Sequence, residues 1–199
     1  MTSRLRTPRI LTLLATACAV LSVGVTACSS LTRPKAQTDN ATDTVTVFAL
    51  NGTPVDAPSG LWLFGQQAVV ITSSFSFDLA LDLNSQGQMT LYTVRYVAGG
   101  LSAAHSVAMQ KMGTDFDAIT KAPSSGYVTD SLFTANVGDV FAIQTSDISA
   151  CGFSVFSNVL YAKVQVLSVD PIARTMKTRF TVDPNCGFFS LIPSGTPKD

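Results

Sequence analysis

The stretch SSFSFDLALDL, residues 73–83, decides the fold class that this sequence predicts. Large apolar side chains occupy every second position from Phe75 to Leu83, with Ser, Asp and Ala between them. A period of two puts these side chains on one face of a β-strand, whereas a helix would scatter them around its circumference. Residues 84–87 then have turn chemistry, so Met89–Val97 is predicted to return as the second strand of a hairpin.

The rest of the body repeats this pattern of short apolar stretches separated by turns. All 13 acidic residues are Asp, which favours turns and caps. Further strands are predicted over residues 44–50, 60–71 (one or two), 140–144, 160–166 and 176–182. Seven or eight strands over about 150 residues predict an all-β, antiparallel β-sandwich of Ig-like architecture, with a small β-barrel as the alternative.

One stretch departs from the strand pattern. Leu101–Met112 has a helical composition and apolar residues at helix-like intervals, so we predict a short helix or irregular crossover there. It lies in a long connection, residues 97–126, for which the alternative is a binding loop. His105, the only histidine, falls in this stretch and is predicted to be exposed or loosely packed.

Composition excludes several classes of protein. A length of 199 residues fits one domain with a substantial core. The 13 basic and 13 acidic side chains balance, which excludes a nucleic-acid binder that works through a basic surface. A hydrophobic fraction of 46% excludes a chain that is disordered throughout.

The N-terminal segment reads as an export signal. Three arginines precede an uncharged apolar run over residues 10–25, which is the pattern of a secretory signal peptide. The sequence Val25-Thr26-Ala27-Cys28 that follows resembles the lipobox of bacterial lipoproteins. This resemblance implies cleavage before Cys28 and a diacylglyceryl thioether on its sulfur.

The resemblance to lipoproteins sets the expected domain organisation and location. Residues 1–27 would be the signal peptide, 28–43 the lipid anchor and flexible spacer, 44–195 the β-sandwich, and 196–199 a C-terminal tail. The protein would be extracytoplasmic and held to a membrane of the bacterial cell envelope by Cys28. Because Ser29 is not Asp, the resemblance implies the outer membrane in a Gram-negative cell.

Cleavage would also leave a weakly acidic mature chain. It removes three basic side chains and no acid, so ten basic groups remain against 13 acids. Attraction to anionic lipid, polysaccharide or nucleic acid is therefore not expected.

Two further cysteines are predicted to form a structural disulfide. With Cys28 acylated, Cys151 and Cys186 remain as a pair in an oxidising compartment, and each precedes a Gly-Phe dipeptide. A redox or metal-binding pair is the alternative, but no CxxC spacing is present and further His or Cys ligands are lacking.

Candidate catalytic and metal-binding residues are few. Asp115 and Asp117 are weak candidates for a Ca²⁺ site, with Asp130 nearby. His105 and these two acids are the acid/base candidates for a small hydrolase acting on envelope polymers, although no Gly-x-Ser-x-Gly elbow is present. Phosphate-loop, dinucleotide and zinc-helix motifs are absent, so no cofactor is expected.

The expected function is a non-enzymatic binding or interaction module displayed on a membrane, with an envelope protein or polymer as partner. Residues 138–145 and 161–166 resemble late strands of β-rich domains in bacterial envelope proteins, which implies a sandwich and no activity. The alternatives are the small hydrolase and a structural subunit of an envelope complex.

Overall fold

Two antiparallel five-stranded sheets pack face to face, which confirms the predicted β-sandwich. The computed structural model describes residues 35–99, 105–129, 132–147, 151 and 157–198. Within them lie ten strands, a one-turn helix α1 and a 3-10 turn: β1 (Ala41–Phe48), β2 (Gly60–Trp62), β3 (Gln67–Val69), β4 (Leu79–Leu83), β5 (Met89–Thr93), α1 (Val94–Val97), β6 (His105–Met112), the 3-10 turn (Phe116–Ala118), β7 (Phe133–Thr134), β8 (Val140–Asp147), β9 (Val159–Asp170) and β10 (Thr175–Asp183).

The order of the strands separates the chain into two sheets. The first sheet has the order β1-β10-β9-β8-β6, and the second has the order β3-β2-β4-β5-β7. The β9–β10 hairpin is centred on the predicted turn after Asp170, and its register shifts between Lys177 and Thr178. Each sheet of the described chain ends in edge strands, so the sheets are not closed into the barrel that we considered as an alternative.

The inward-facing side chains of the alternating strands form the core between the sheets. Val164 and Phe180 from the first sheet are fully buried, and so are Leu79 and Leu81 from the second. The period of two is therefore confirmed for the inward-facing residues of the hairpin that the sequence predicted most clearly.

Residues 73–83, which decided the predicted fold class, differ from the prediction in two respects: their first half is not a strand, and their acidic side chains are buried. β4 begins at Leu79, and residues 73–78 form a turn and an irregular segment in which Phe75 has a φ of 48°. Asp78 and Asp82 are buried instead of facing solvent. Both carboxylates accept hydrogen bonds from neighbouring loops, and these bonds compensate for the loss of hydration.

The predicted helix or crossover is wrong where the structure describes it. His105–Met112 is β6, which pairs with β8 along its whole length, and residues 101–104 lie outside the described residues. Backbone pairing with β8 and burial of Val107 and Met109 outweigh the helical composition. Conversely, Val94–Val97 was predicted as strand and forms α1.

A third layer covers the outer face of the first sheet. It consists of two covering segments, residues 113–128 and 184–192. They pair with each other, since Ala122 donates its backbone N–H to Phe189 at 2.7 Å and Leu191 donates to Thr120 at 2.8 Å. A second apolar cluster forms beneath them: Phe116, Ile119, Ala122, Val140, Tyr161 and Leu191.

The chain enters the sandwich through a hydrogen-bonded lead-in. Gln37 and Thr38 donate their backbone N–H groups to Asn185 Oδ1 at 2.9 and 3.1 Å. Asn40 Nδ2 donates to the carbonyls of Ser190 and Ile192. Together with the start of β1 at Ala41, these bonds attach residues 37–43, which we predicted as spacer, to the domain.

The predicted cysteine pair is bonded. The sulfur atoms of Cys151 and Cys186 lie 2.04 Å apart, and Cys151 is buried. The bridge joins the connection between β8 and β9 to the covering segment that follows β10. Because Asn185 precedes Cys186, the disulfide also lies beside the attachment of the lead-in.

Candidate functional site

The strand register gives the sandwich two different ends. Phe48 at the end of β1 pairs with Thr175, and Thr175 pairs with Asp170. Loop 49–59 and turn 171–174 therefore lie at the same end, which we name the loop end together with turn 136–139. At the opposite end, named the entry end, Ala41 pairs with Val182 where the chain enters β1.

Arg174 fastens loop 49–59 to turn 171–174. Its Nε donates to the carbonyl of Asn51 at 2.6 Å, and its Nη2 lies 3.3 Å from Asp82 Oδ1. Its own carbonyl accepts the backbone N–H of Ala49 at 2.8 Å. Gly52 has a φ of 72° and lies so close to Arg174 that an added Cβ would fall 2.8 Å from Nε. The two loops are thus held in a fixed arrangement.

Each of these loops is also ordered internally. Thr53 Oγ1 donates to the carbonyl of Ala49, and Ala57 donates its N–H to the carbonyl of Pro54. Asp170 Oδ1 accepts the backbone N–H groups of Ile172 and Ala173 at 2.9 and 2.8 Å. Such side-chain bonds to the backbone set the conformation of a turn before any ligand arrives.

Turn 136–139 is joined to β9. Gly138 donates its N–H to Val166, and Val166 donates to the carbonyl of Asp139, both at 2.9 Å. Asp139 accepts bonds from Lys111 Nζ at 2.7 Å and from the backbone of Asn136 at 3.0 Å. Burial alone would raise the pKa of Asp139, but these bonds and the Lys111 charge outweigh it and lower the pKa.

The loop end exposes aliphatic side chains on these ordered turns. Ile172 is 97% exposed, Val55 is 95% exposed and Val137 is 61% exposed. They are the three most exposed large apolar side chains among the described residues. Exposed aliphatic side chains held on ordered turns can bind a partner with little loss of conformational entropy.

The sequence analysis did not single out these residues. Val55 and Ile172 each follow a proline inside a turn, where Asn, Asp or Gly is more usual. An aliphatic residue at such a turn position was the signal that could have identified Val55 and Ile172. No local sequence signal indicated that Arg174 fastens the two loops, because its partners Asn51 and Asp82 are distant in sequence.

Lys163 is the second unexpected feature, and it lies beneath the covering segments. It points to the outer face of β9 and has no exposed surface. Its Nζ donates to the carbonyls of Phe116 and Ile119 at 2.8 Å each and lies 4.4 Å from the Phe116 ring centroid. Burial lowers the pKa of Lys163, Arg179 lowers it further and Asp117 opposes the shift.

Lys163 therefore attaches the first covering segment to the sheet, and we predict the cost of removing it. Lys163→Met would leave the Ile119 carbonyl without the Lys163 donor and the Phe116 carbonyl with only the backbone N–H of Ile119, at 3.3 Å. This loss is expected to lower the free energy of unfolding by about 1–3 kcal/mol. Urea unfolding measures this change. Lys177→Met, at an exposed lysine of β10, is the matched control, expected to change stability by less than about 0.5 kcal/mol. Equal stabilities of the two variants would contradict this role.

The aromatic residues of the outer layer pack against one another. The ring centroids of Tyr161 and Phe189 are 4.6 Å apart, and those of Tyr127 and Tyr161 are 6.3 Å apart. Burial raises the pKa of both phenols, and the neighbouring Tyr161 raises that of Tyr127 further. Tyr161, on the outer face of β9, is buried and forms part of this layer.

The three acid/base candidates do not form one site. His105 begins β6, whereas Asp115 and Asp117 follow its other end. His105 is buried, and its Nε2 lies 3.2 Å from Asp78 Oδ1. Asp78 Oδ2 in turn accepts the backbone N–H of Leu63 at 2.7 Å. The prediction that His105 is exposed or loosely packed is wrong, because this contact joins β6 to the segment before β4.

The candidate calcium ligands face solvent. Asp115 is exposed, and the Asp117 side chain is 72% exposed and lies 3.2 Å from Arg179 Nη2. Asp130 lies outside the described residues. Within the described part of the chain, no group of three or more His, Cys, Asp or Glu side chains could hold a metal ion.

Cys28, the predicted site of lipid attachment, also lies outside the described residues. Among the helices that the structure describes, none has the length and apolar character needed to cross a membrane. No protein-family model, curated protein or solved structure matches this chain.

Proposed function

We propose that this protein is an envelope lipoprotein, held to a membrane by acylated Cys28, that acts as a non-enzymatic interaction module. The lipobox-like sequence before Cys28 supports the anchor. The anchor, the signal peptide and the extracytoplasmic location belong to the same proposal, because each follows from that resemblance.

The observation that carries the proposal is that the two ends of the sandwich differ. The chain enters β1 at the entry end, where Asn40 and Asn185 attach the lead-in to the C-terminal covering segment. The most exposed aliphatic side chains are at the loop end. The eight residues of β1 separate the two ends by roughly 25 Å at about 3.4 Å per residue. A lipid tether would therefore leave the loop end free to meet a partner.

Crosslinking in cells tests this proposal. The tagged, full-length protein is crosslinked with an amine-reactive reagent and recovered from the membrane fraction, and the material that it retains is identified by mass spectrometry. We expect a stoichiometric protein partner, as for an adaptor or a complex subunit. Recovery of the protein alone from the membrane fraction would contradict the interaction role, and recovery from the soluble fraction would contradict the anchor.

A further inference from the structure

We infer that the loop end is the docking surface and that it inserts Val55 and Ile172 into an apolar recess on a protein partner. The inference rests on the proposed function, since it names the surface and the chemistry of that interaction. It depends on three properties of the loop end: exposed aliphatic tips, fixed loops and a small surrounding net charge.

The two tips are presented on a fixed support. Both side chains are more than nine-tenths exposed, yet the backbone on either side of them is hydrogen-bonded. Arg174 joins the two loops, so the tips keep a constant relative position. Burial of both side chains against a partner would remove apolar surface from water, which is favourable, and would not cost the entropy of ordering a mobile loop.

The charge of the loop end selects the kind of partner. Arg174 and Lys111 each lie against an acid, Asp82 and Asp139, so these cations are balanced locally. Asp56 and Asp170 add negative charge beside the tips, and the exposed Lys177 on β10 adds a positive charge near the end of the hairpin. The resulting rim is close to neutral, so it offers little attraction to anionic lipid, nucleic acid or anionic polymers and suits a protein surface whose own rim is nearly neutral.

Site-specific photo-crosslinking tests the docking surface. A photoreactive residue replaces Ala57 or Ala173, each of which lies within two residues of a tip and leaves both tips intact. We expect both positions to yield an adduct with the same protein. In a Val55→Ser/Ile172→Ser background the adduct should fall by at least about tenfold, the change expected when buried aliphatic surface is lost. Ile192→Ser, at an exposed apolar residue near the entry end, is the matched control and should leave the yield unchanged.

Binding of the purified partner then tests whether the contact at the loop end is apolar. Titration calorimetry is expected to show a negative heat-capacity change and little dependence on salt, the marks of apolar burial. The inference is overturned if the double variant crosslinks as well as the parent, if the adduct is a second copy of this chain, or if the partner is captured only away from the loop end. If amine-reactive crosslinking retains a partner while Ala57 and Ala173 yield none, the docking surface is wrong and the proposed function stands. If neither method captures a partner, both fail.

Discussion

Cys28→Ser is expected to abolish lipid attachment, reducing the fatty acid incorporated into the protein at least about tenfold. The expected diacylglyceryl thioether needs the Cys28 sulfur, and a serine hydroxyl cannot form a thioether. Because Cys28 also marks the expected cleavage point, the variant would keep the apolar run over residues 10–25 and could stay on the membrane without a lipid. Metabolic labelling with an alkyne fatty acid, followed by immunoprecipitation, measures the incorporation.

Cys18→Ser is the matched control for the anchor. Cys18 also follows small residues but lies inside the apolar run, so its replacement should leave fatty-acid incorporation unchanged. Incorporation into the Cys28→Ser variant at the level of the parent protein would contradict anchoring through Cys28.

Cys151→Ala/Cys186→Ala is expected to lower the free energy of unfolding by about 3.8 kcal/mol. The bridge closes a loop of 35 residues, and chain entropy assigns roughly that value to a loop of this length. The melting temperature should fall by roughly 10 °C. The double variant should also lose local stability near the lead-in, because the bridge adjoins Asn185, which accepts the backbone N–H groups of Gln37 and Thr38. Urea unfolding gives the total, and hydrogen exchange of those two backbone amides gives the local effect.

The reduced wild-type protein provides the comparison for the double variant. The two should unfold at the same urea concentration, since both lack the cross-link while their sequences differ only at the two cysteines. Unfolding of the oxidised wild type and the double variant within about 0.5 kcal/mol of each other would contradict a stabilising bridge.

Local patterns predicted the elements whose register is set by one buried face. The alternation from Phe77 to Leu83, the turn after Leu83 and the β9–β10 hairpin all carry their information within about ten residues. The Cys151–Cys186 pairing was predictable because Cys28 was assigned to the anchor, which left two cysteines in an oxidising compartment.

The parts that were not predicted depend on contacts between residues distant in sequence. β6 has a helical composition but lies beside β8, whose backbone determines its conformation. The alternation of β9 predicts that Lys163 faces solvent. In the structure the covering segment lies over it, and Lys163 donates to two carbonyls of that segment. The loop end exists because Arg174 reaches Asn51, 123 residues away in the chain.

The most direct test of the account is mass spectrometry of the N-terminal peptide of the protein extracted from membranes. We predict a peptide that begins at Cys28 and carries the mass of a diacylglycerol thioether. An unmodified Cys28, or a peptide that begins upstream of it, would contradict the anchor on which the proposed display of the loop end depends.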